Sequence, residues 1–185
     1  MEEHDQIRLF KERAAAVQTS VTDVTGLQQA FLYAIEVTKN QGGSTIAAPA
    51  LGPDKRSQLA ELCRQNEIAL LTENIRDHIG KIQTGLTLGG WGVAETATLV
   101  LDSTSEDVRI VTMLSETHVA VLPRSRLRSD ITELESELSE SMKSAPRYLA
   151  FISGASRTAD IERVLTIGVH GPQELHLLIL DEEPA

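Results

Sequence analysis

The sequence predicts a three-layer α/β/α domain built on a mostly parallel sheet. Three observations carry that expectation. Apolar runs of strand length, at residues 68–71, 118–122 and 175–180, alternate with segments whose apolar residues recur at helical spacing. Residues 44–71 read as strand, helix and strand in turn, which implies parallel strands joined by a right-handed crossover. The run 175–180 is apolar apart from His176, as in a strand covered on both faces. Helices on both sides of such a sheet are the expected solution.

The elements follow in order. Residues 5–17 place Ile7, Phe10, Ala14 and Val17 on one side of a helix. Residues 20–25 are polar and β-branched and read as a connector. The expected division is therefore a helical arm over residues 1–20 and an α/β domain over residues 21–185. Thr25 suits the cap of a second helix, whose Leu27, Ala30, Phe31, Ala34 and Ile35 form a core-facing stripe. Gly42-Gly43 ends it, since glycine accepts the left-handed conformation after a helix. A short strand over 44–48 precedes Pro49, and Pro53-Asp54 opens a helix that runs to Gln65. Residues 68–71 are the next strand.

Residues 74–92 hold Gly80, Gly85, Gly89, Gly90 and Gly92, and predict a short helix followed by an irregular loop. Strand material lies at 93–94 and 98–101, on either side of Glu95-Thr96-Ala97. A short helix is expected over 109–114 and a strand over 118–122, stopped by Pro123. Ser129 suits a helix cap with Asp130 in the first turn. Ile131, Leu134, Leu138 and Met142 would be that helix's buried stripe. A strand over 148–152, a helix over 157–166 and a strand over 175–180 complete the chain.

The composition narrows function. Aromatic residues make up 3% of the chain, so the core must be built from Leu, Ile, Val and Ala. The formal net charge of −10 argues against nucleic acid, whose phosphates call for clustered Lys and Arg, and against anionic membranes. One cysteine, Cys63, cannot form an intramolecular disulfide or ligate an iron–sulfur cluster. It shares a helix face with Leu59 and Leu62 and reads as a core thiol. The five histidines show no i, i+4 pair, so no metal site is expected. No apolar run approaches the roughly 20 residues that cross a bilayer. The acidic start Met1-Glu2-Glu3-His4-Asp5 lacks a signal-peptide core. A cytoplasmic protein without membrane insertion is expected.

Three segments could carry chemistry. Ser153-Gly154-Ala155-Ser156-Arg157-Thr158 follows a strand and opens the expected helix, where free N–H groups favour anions. Gly154 permits close backbone approach, Ser153, Ser156 and Thr158 offer hydroxyls, and Arg157 offers a planar charged fork. The plainer alternative is a helix cap, with Arg157 paired to Asp160 or Glu162. In Trp91-Gly92-Val93-Ala94-Glu95-Thr96, Glu95 interrupts an apolar stretch and would suit proton transfer if partly buried. It equally suits a turn between two strands. His170-Gly171-Pro172 offers a histidine that titrates near neutral pH, or a plain turn. Arg124, Arg126 and Arg128 form a basic patch that reads as a solvated strand end.

Four blocks fall into one pattern. They are Gly92-Val93-Ala94-Glu95-Thr96-Ala97-Thr98, His118-Val119-Ala120-Val121-Leu122-Pro123, Ser153-Gly154-Ala155-Ser156-Arg157-Thr158-Ala159-Asp160-Ile161-Glu162, and Gly168-Val169-His170-Gly171-Pro172-Gln173-Glu174-Leu175-His176. In that order they resemble the LUD domain, of the lactate-utilization protein C type, from about Thr84 to Leu180. The family commonly has glycine where Ala97 stands and often proline where Ala155 stands.

The resemblance implies a fold like that of sugar-phosphate isomerases and CoA transferases. It implies a non-redox subunit of a system oxidising L-lactate to pyruvate, binding a small carboxylate or a partner protein. Iron–sulfur clusters would then lie on partner lactate-utilization proteins, with no cofactor in this chain. The alternative is a stand-alone enzyme acting on an anionic, for example phosphorylated, metabolite. Glu95 would be its base or nucleophile. Thr96, Ser153, Gly154, Ser156, Arg157, Thr158, His170 and Gly171 are the expected ligand-binding residues under either reading.

Overall fold

A computed structural model describes residues 3–143, 147–158, 166–167 and 171–181. The chain opens with α1 (Glu3–Ala16), β1 (Ser20–Val24), α2 (Leu27–Asn40), β2 (Thr45–Ala47), α3 (Pro53–Gln65), β3 (Ala69–Leu71) and a 3-10 turn at Ile75–His78. It continues with β4 (Thr84–Leu88), β5 (Trp91–Val93), β6 (Thr98–Asp102), α4 (Glu106–Leu114) and β7 (Thr117–Pro123). Then come β8 (Leu127–Arg128), α5 (Glu135–Lys143), β9 (Leu149–Ile152), β10 (Arg157–Thr158), β11 (Thr166–Ile167) and β12 (Glu174–Leu180).

Six strands form a sheet in the order β1-β12-β7-β4-β2-β3, and every neighbouring pair is parallel. One face carries Ile46, Leu86, Val119, Val121 and Leu178 against Phe31 and Ile35 of α2 and Leu59 and Cys63 of α3. The other carries Ala120, Leu122, Leu175, Leu177 and Ile179 against Ile7 and Phe10 of α1 and Leu99 and Leu101 of β6. The layered α/β/α expectation therefore holds. It gains a small second sheet, β8-β5-β6-β9, in the layer beside α1. Strand order reverses between β2 and β4. From β2 the chain moves outward to β3, then returns to β4 on the far side of β2.

Several expectations need correction. Residues 20–25, read as a connector, contain edge strand β1, paired to β12 from Ser20↔His176 to Val24↔Leu180. An edge strand tolerates polar residues, and only Val24 of β1 is buried. The loop expected before residue 92 contains β4, which is central. Its polar and glycine residues hid it, yet each is accommodated. A Cβ at Gly85 would stand 2.6 Å from Val111 Cγ1, so α4 fills that space. Thr84 Oγ1 lies 2.7 Å from Thr38 Oγ1, and Thr87 Oγ1 lies 2.8 Å from His118 Nε2.

Cap positions shift by one residue. Gly26 rather than Thr25 caps α2. Asp130 rather than Ser129 accepts from the Thr132 and Glu133 N–H groups, capping a 3-10 turn that leads into α5. Ile131, placed in a buried stripe by its spacing, is exposed, whereas Leu134 is fully buried.

No helix begins at residue 157. Arg157 and Thr158 pair antiparallel with Ile167 and Thr166. The β-branched residues at 158, 166 and 167 suit that ladder. The middle of the expected helix, 159–165, lies outside the described residues.

Candidate functional site

The expected site residues fall into two groups. The turn from β5 to β6 carries Glu95 and Thr96, and β9 pairs with β6 through Leu99↔Ile152. This brings Ser153, just past β9, to Thr98. Thr98 Oγ1 lies 2.6 Å from Thr96 Oγ1 and 2.6 Å from Ser153 Oγ, a continuous chain of hydroxyls. A cavity of about 220 Å³ opens over them, walled by Val93, Ile131 and Phe151. Glu95 stands at its rim, exposed, with its backbone N–H donated to the Ser129 carbonyl at 3.0 Å. The partial burial that would suit a proton-transfer role is not found there.

Ala97 closes this turn at φ 49°, in the left-handed region that favours glycine. The glycine common at this position in the resembling family thus has a backbone reason. Alanine meets the same demand here, and it is fully buried, in the same core cluster as Phe10.

The second group gathers near the end of α1. Gly154 has φ 83°, and a Cβ there would stand 3.0 Å from the Val17 carbonyl oxygen. The Ser156 N–H donates to the Pro172 carbonyl at 2.9 Å, and Gly171 packs on the Ser156 side chain. Arg157 Nη2 donates to Gln18 Oε1 at 3.2 Å. Thr158 lies in β10, while His170 lies outside the described residues. Gly171 and Pro172 precede β12, and the Gln173 N–H bonds the Glu116 carbonyl ahead of β7. This group therefore sits at the amino ends of the parallel strands. The segment does follow a strand, as the sequence suggested, but that strand, β9, belongs to the small sheet.

The carboxyl ends hold a different feature, which sequence reasoning missed. A cavity of about 420 Å³ lies where strand order reverses, walled by Pro49, Ala50, Leu88, Trp91, Asp102 and Arg126 among others. The available signals were the Gly89-Gly90-Trp91 run and the basic triplet at 124–128. The triplet divides in the structure. Arg124 pairs with Asp181, and Arg128 pairs with Glu137 at 2.9 Å. A hydrogen bond from Ser136 and the Arg128 guanidinium hold the Glu137 carboxyl down to about 2. Arg126 instead lies over Trp91, 6.0 Å from its ring centroid.

Ala50 is exposed at this cavity with φ 62°. The left-handed form costs alanine roughly 1–2 kcal/mol, and glycine's extra unfolded-state freedom offsets ~0.4–1 kcal/mol. Ala50→Gly is therefore expected to stabilise the fold by about 0.5–1 kcal/mol, read from urea unfolding. A loss of stability would show that this backbone is not strained.

Cys63 is 1% exposed, and burial pushes its thiol up to about 11, so it remains a neutral core group. Among the described residues no group of three or more His, Cys, Asp or Glu is placed to hold a metal. Among them, too, no helix is long and apolar enough to cross a membrane.

Comparison with known proteins gives a consistent result. The profile of the LUD domain family matches residues 7–180. The chain is 30% identical to Lactate utilization protein C of Halalkalibacterium halodurans, over 98% of this chain and 83% of that one. It is 26% identical to Lactate utilization protein C of Bacillus licheniformis, over 95% of this chain and 78% of that one. In structure it is similar to a DUF162 family protein from Deinococcus radiodurans, with a TM-score of 0.64, 17% identity, and coverage of 98% and 99% of the two chains.

Proposed function

The chain belongs to the LUD domain family, and from that premise we propose that it is a non-redox subunit of an L-lactate utilization system. The observation that carries this reading is its likeness to the Halalkalibacterium halodurans protein across most of both chains. In this reading the protein is cytoplasmic and binds a small carboxylate or a partner protein. Iron–sulfur clusters belong to partner subunits, since the chain's one cysteine is a buried, protonated thiol.

The residues assigned to binding are Thr96, Ser153, Gly154, Ser156, Arg157, Thr158, His170 and Gly171. The hydroxyl chain Thr96–Thr98–Ser153 supports Thr96 and Ser153, because it lies beside a cavity large enough for a small acid. Glu95, exposed at the rim, is a carboxylate that can accept a hydrogen bond from a ligand's hydroxyl. No burial of Glu95 favours the alternative, a stand-alone enzyme using it as base.

Deleting the gene is expected to abolish or strongly slow growth on L-lactate while leaving growth on pyruvate intact. Wild-type protein should restore growth, and a Ser153→Ala, Arg157→Ala double variant that still accumulates should not. Unchanged growth of the deletion strain on L-lactate would overturn the reading.

A further inference from the structure

We propose that the cavity at the reversal of strand order binds an organic anion with an apolar body, its carboxylate or phosphate held by Arg126. This goes beyond the lactate reading and uses none of the residues assigned there. At about 420 Å³ the cavity falls in the range of small-molecule sites and exceeds what lactate alone would fill. It lies where the chain leaves β2 through Pro49 and Ala50 and leaves β4 through Gly89 and Gly90, facing Ser105 at the start of α4. In open parallel sheets the connections diverge at such a point, so a crevice forms without disturbing the core.

The backbone around it is held in an uncommon shape. Ala50, Gly89 and Gly90 have φ of 62°, 89° and 87°. Positive φ is ordinary for the two glycines, but Ala50, which lines the cavity, is a non-glycine in the left-handed region, and such outliers occur at ligand clamps. Gly90 has no room for a side chain, because a Cβ would overlap the Val100 carbonyl oxygen.

The chemistry is that of anion capture. Among the described residues, Arg126 makes no hydrogen bond or ion pair, whereas Arg124 and Arg128 are both committed. Its guanidinium lies over the Trp91 ring and above Gly89, where an added Cβ would stand 3.9 Å from Nη1. This cation–π contact leaves the N–H groups of the planar fork available for paired bonds to a carboxylate or phosphate. The carboxylate in the wall, Asp102, is answered by Arg147 at 2.8 Å and the Thr104 N–H at 2.9 Å, so it adds little repulsion. Ser105 caps α4 without a side-chain cap bond. Leu88, Leu101 and Val108 supply the apolar wall.

Trp91 is the single tryptophan, so one indole N–H resonance reports on this cavity. Isotope-labelled protein would be titrated with phenylacetate, phenyl phosphate and neutral benzyl alcohol. The expected result is a saturable shift with at least one anion. Its affinity should exceed that of benzyl alcohol roughly tenfold or more, and Arg126→Ala should lose it by a similar factor. Saturation by phenylacetate alone would identify a carboxylate site, and by phenyl phosphate alone a phosphate site. Arg8→Ala, which removes a surface arginine on α1, should leave the titration unchanged. The absence of a saturable shift with either anion would overturn the proposal. So would an equal response to benzyl alcohol, or equal affinity in Arg126→Ala.

Discussion

Phe10→Ala is expected to destabilise the fold by roughly 3–5 kcal/mol. Phe10 has no exposed surface and packs with Ile7 and Ala14 of α1 against Leu99, Leu122 and Leu177. Its ring also faces Gly92, where an added Cβ would stand 3.4 Å from Phe10 Cε2, so β5 approaches α1 closely. Truncation removes the transfer energy of the ring and leaves a cavity between two sheets. Both are pinned by their own hydrogen bonds and can collapse little. Partial relaxation would bring the cost toward the lower end of that range. For comparison, Phe151 is 53% exposed, and Phe151→Ala should stay within about 0.5 kcal/mol. Urea unfolding and thermal melting measure both, with Phe10→Ala lowering Tm by roughly 6–20 °C. A cost below about 1 kcal/mol would mean that α1 behaves as a detachable arm ending near residue 20.

The sequence made the strongly apolar and regularly spaced elements legible. The strands at 45–47, 69–71, 117–123 and 174–180 and the stripe of α2 are found where the pattern places them. What escaped was structure whose logic lies in distant partners. β4 reads Thr-Gly-Leu-Thr-Leu, which no local rule marks as a central strand. It becomes one because Thr38, Val111 and His118, 46, 26 and 31 residues or so away, supply what its own side chains lack.

The candidate site shows the same divide. The contact between Thr98 and Ser153 depends on β6 pairing with β9, which the sequence does not announce. The switch-point cavity depends on which of three arginines is left without a carboxylate. That follows from Asp181 and Glu137 reaching the other two, and spacing is silent on it.

His118 gives the second large effect. It is 1% exposed in central strand β7, bonded through Nε2 to Thr87, and its Nδ1 has no partner among the described residues. Burial pushes its pKa down from 6.5 to about 4. The unfolded chain therefore takes up a proton below pH 6.5 that the folded chain refuses. Stability from this group is fully present above pH 6.5 and is lost as pH falls toward 4. The loss should reach about 2 kcal/mol at pH 5 and about 3 kcal/mol at pH 4. Carboxylates such as Glu137, whose pKa is also lowered, act in the same direction but in a lower window, losing their contribution only as pH falls through and below the ordinary carboxylate range. The two causes thus separate by window. Urea unfolding at pH 7.5, 6 and 5 should show a falling stability in the wild type that is largely flattened in His118→Gln, whatever that variant costs at neutral pH. Parallel slopes in the two proteins would mean that His118 can be protonated inside the fold, with water or a polar group reaching Nδ1.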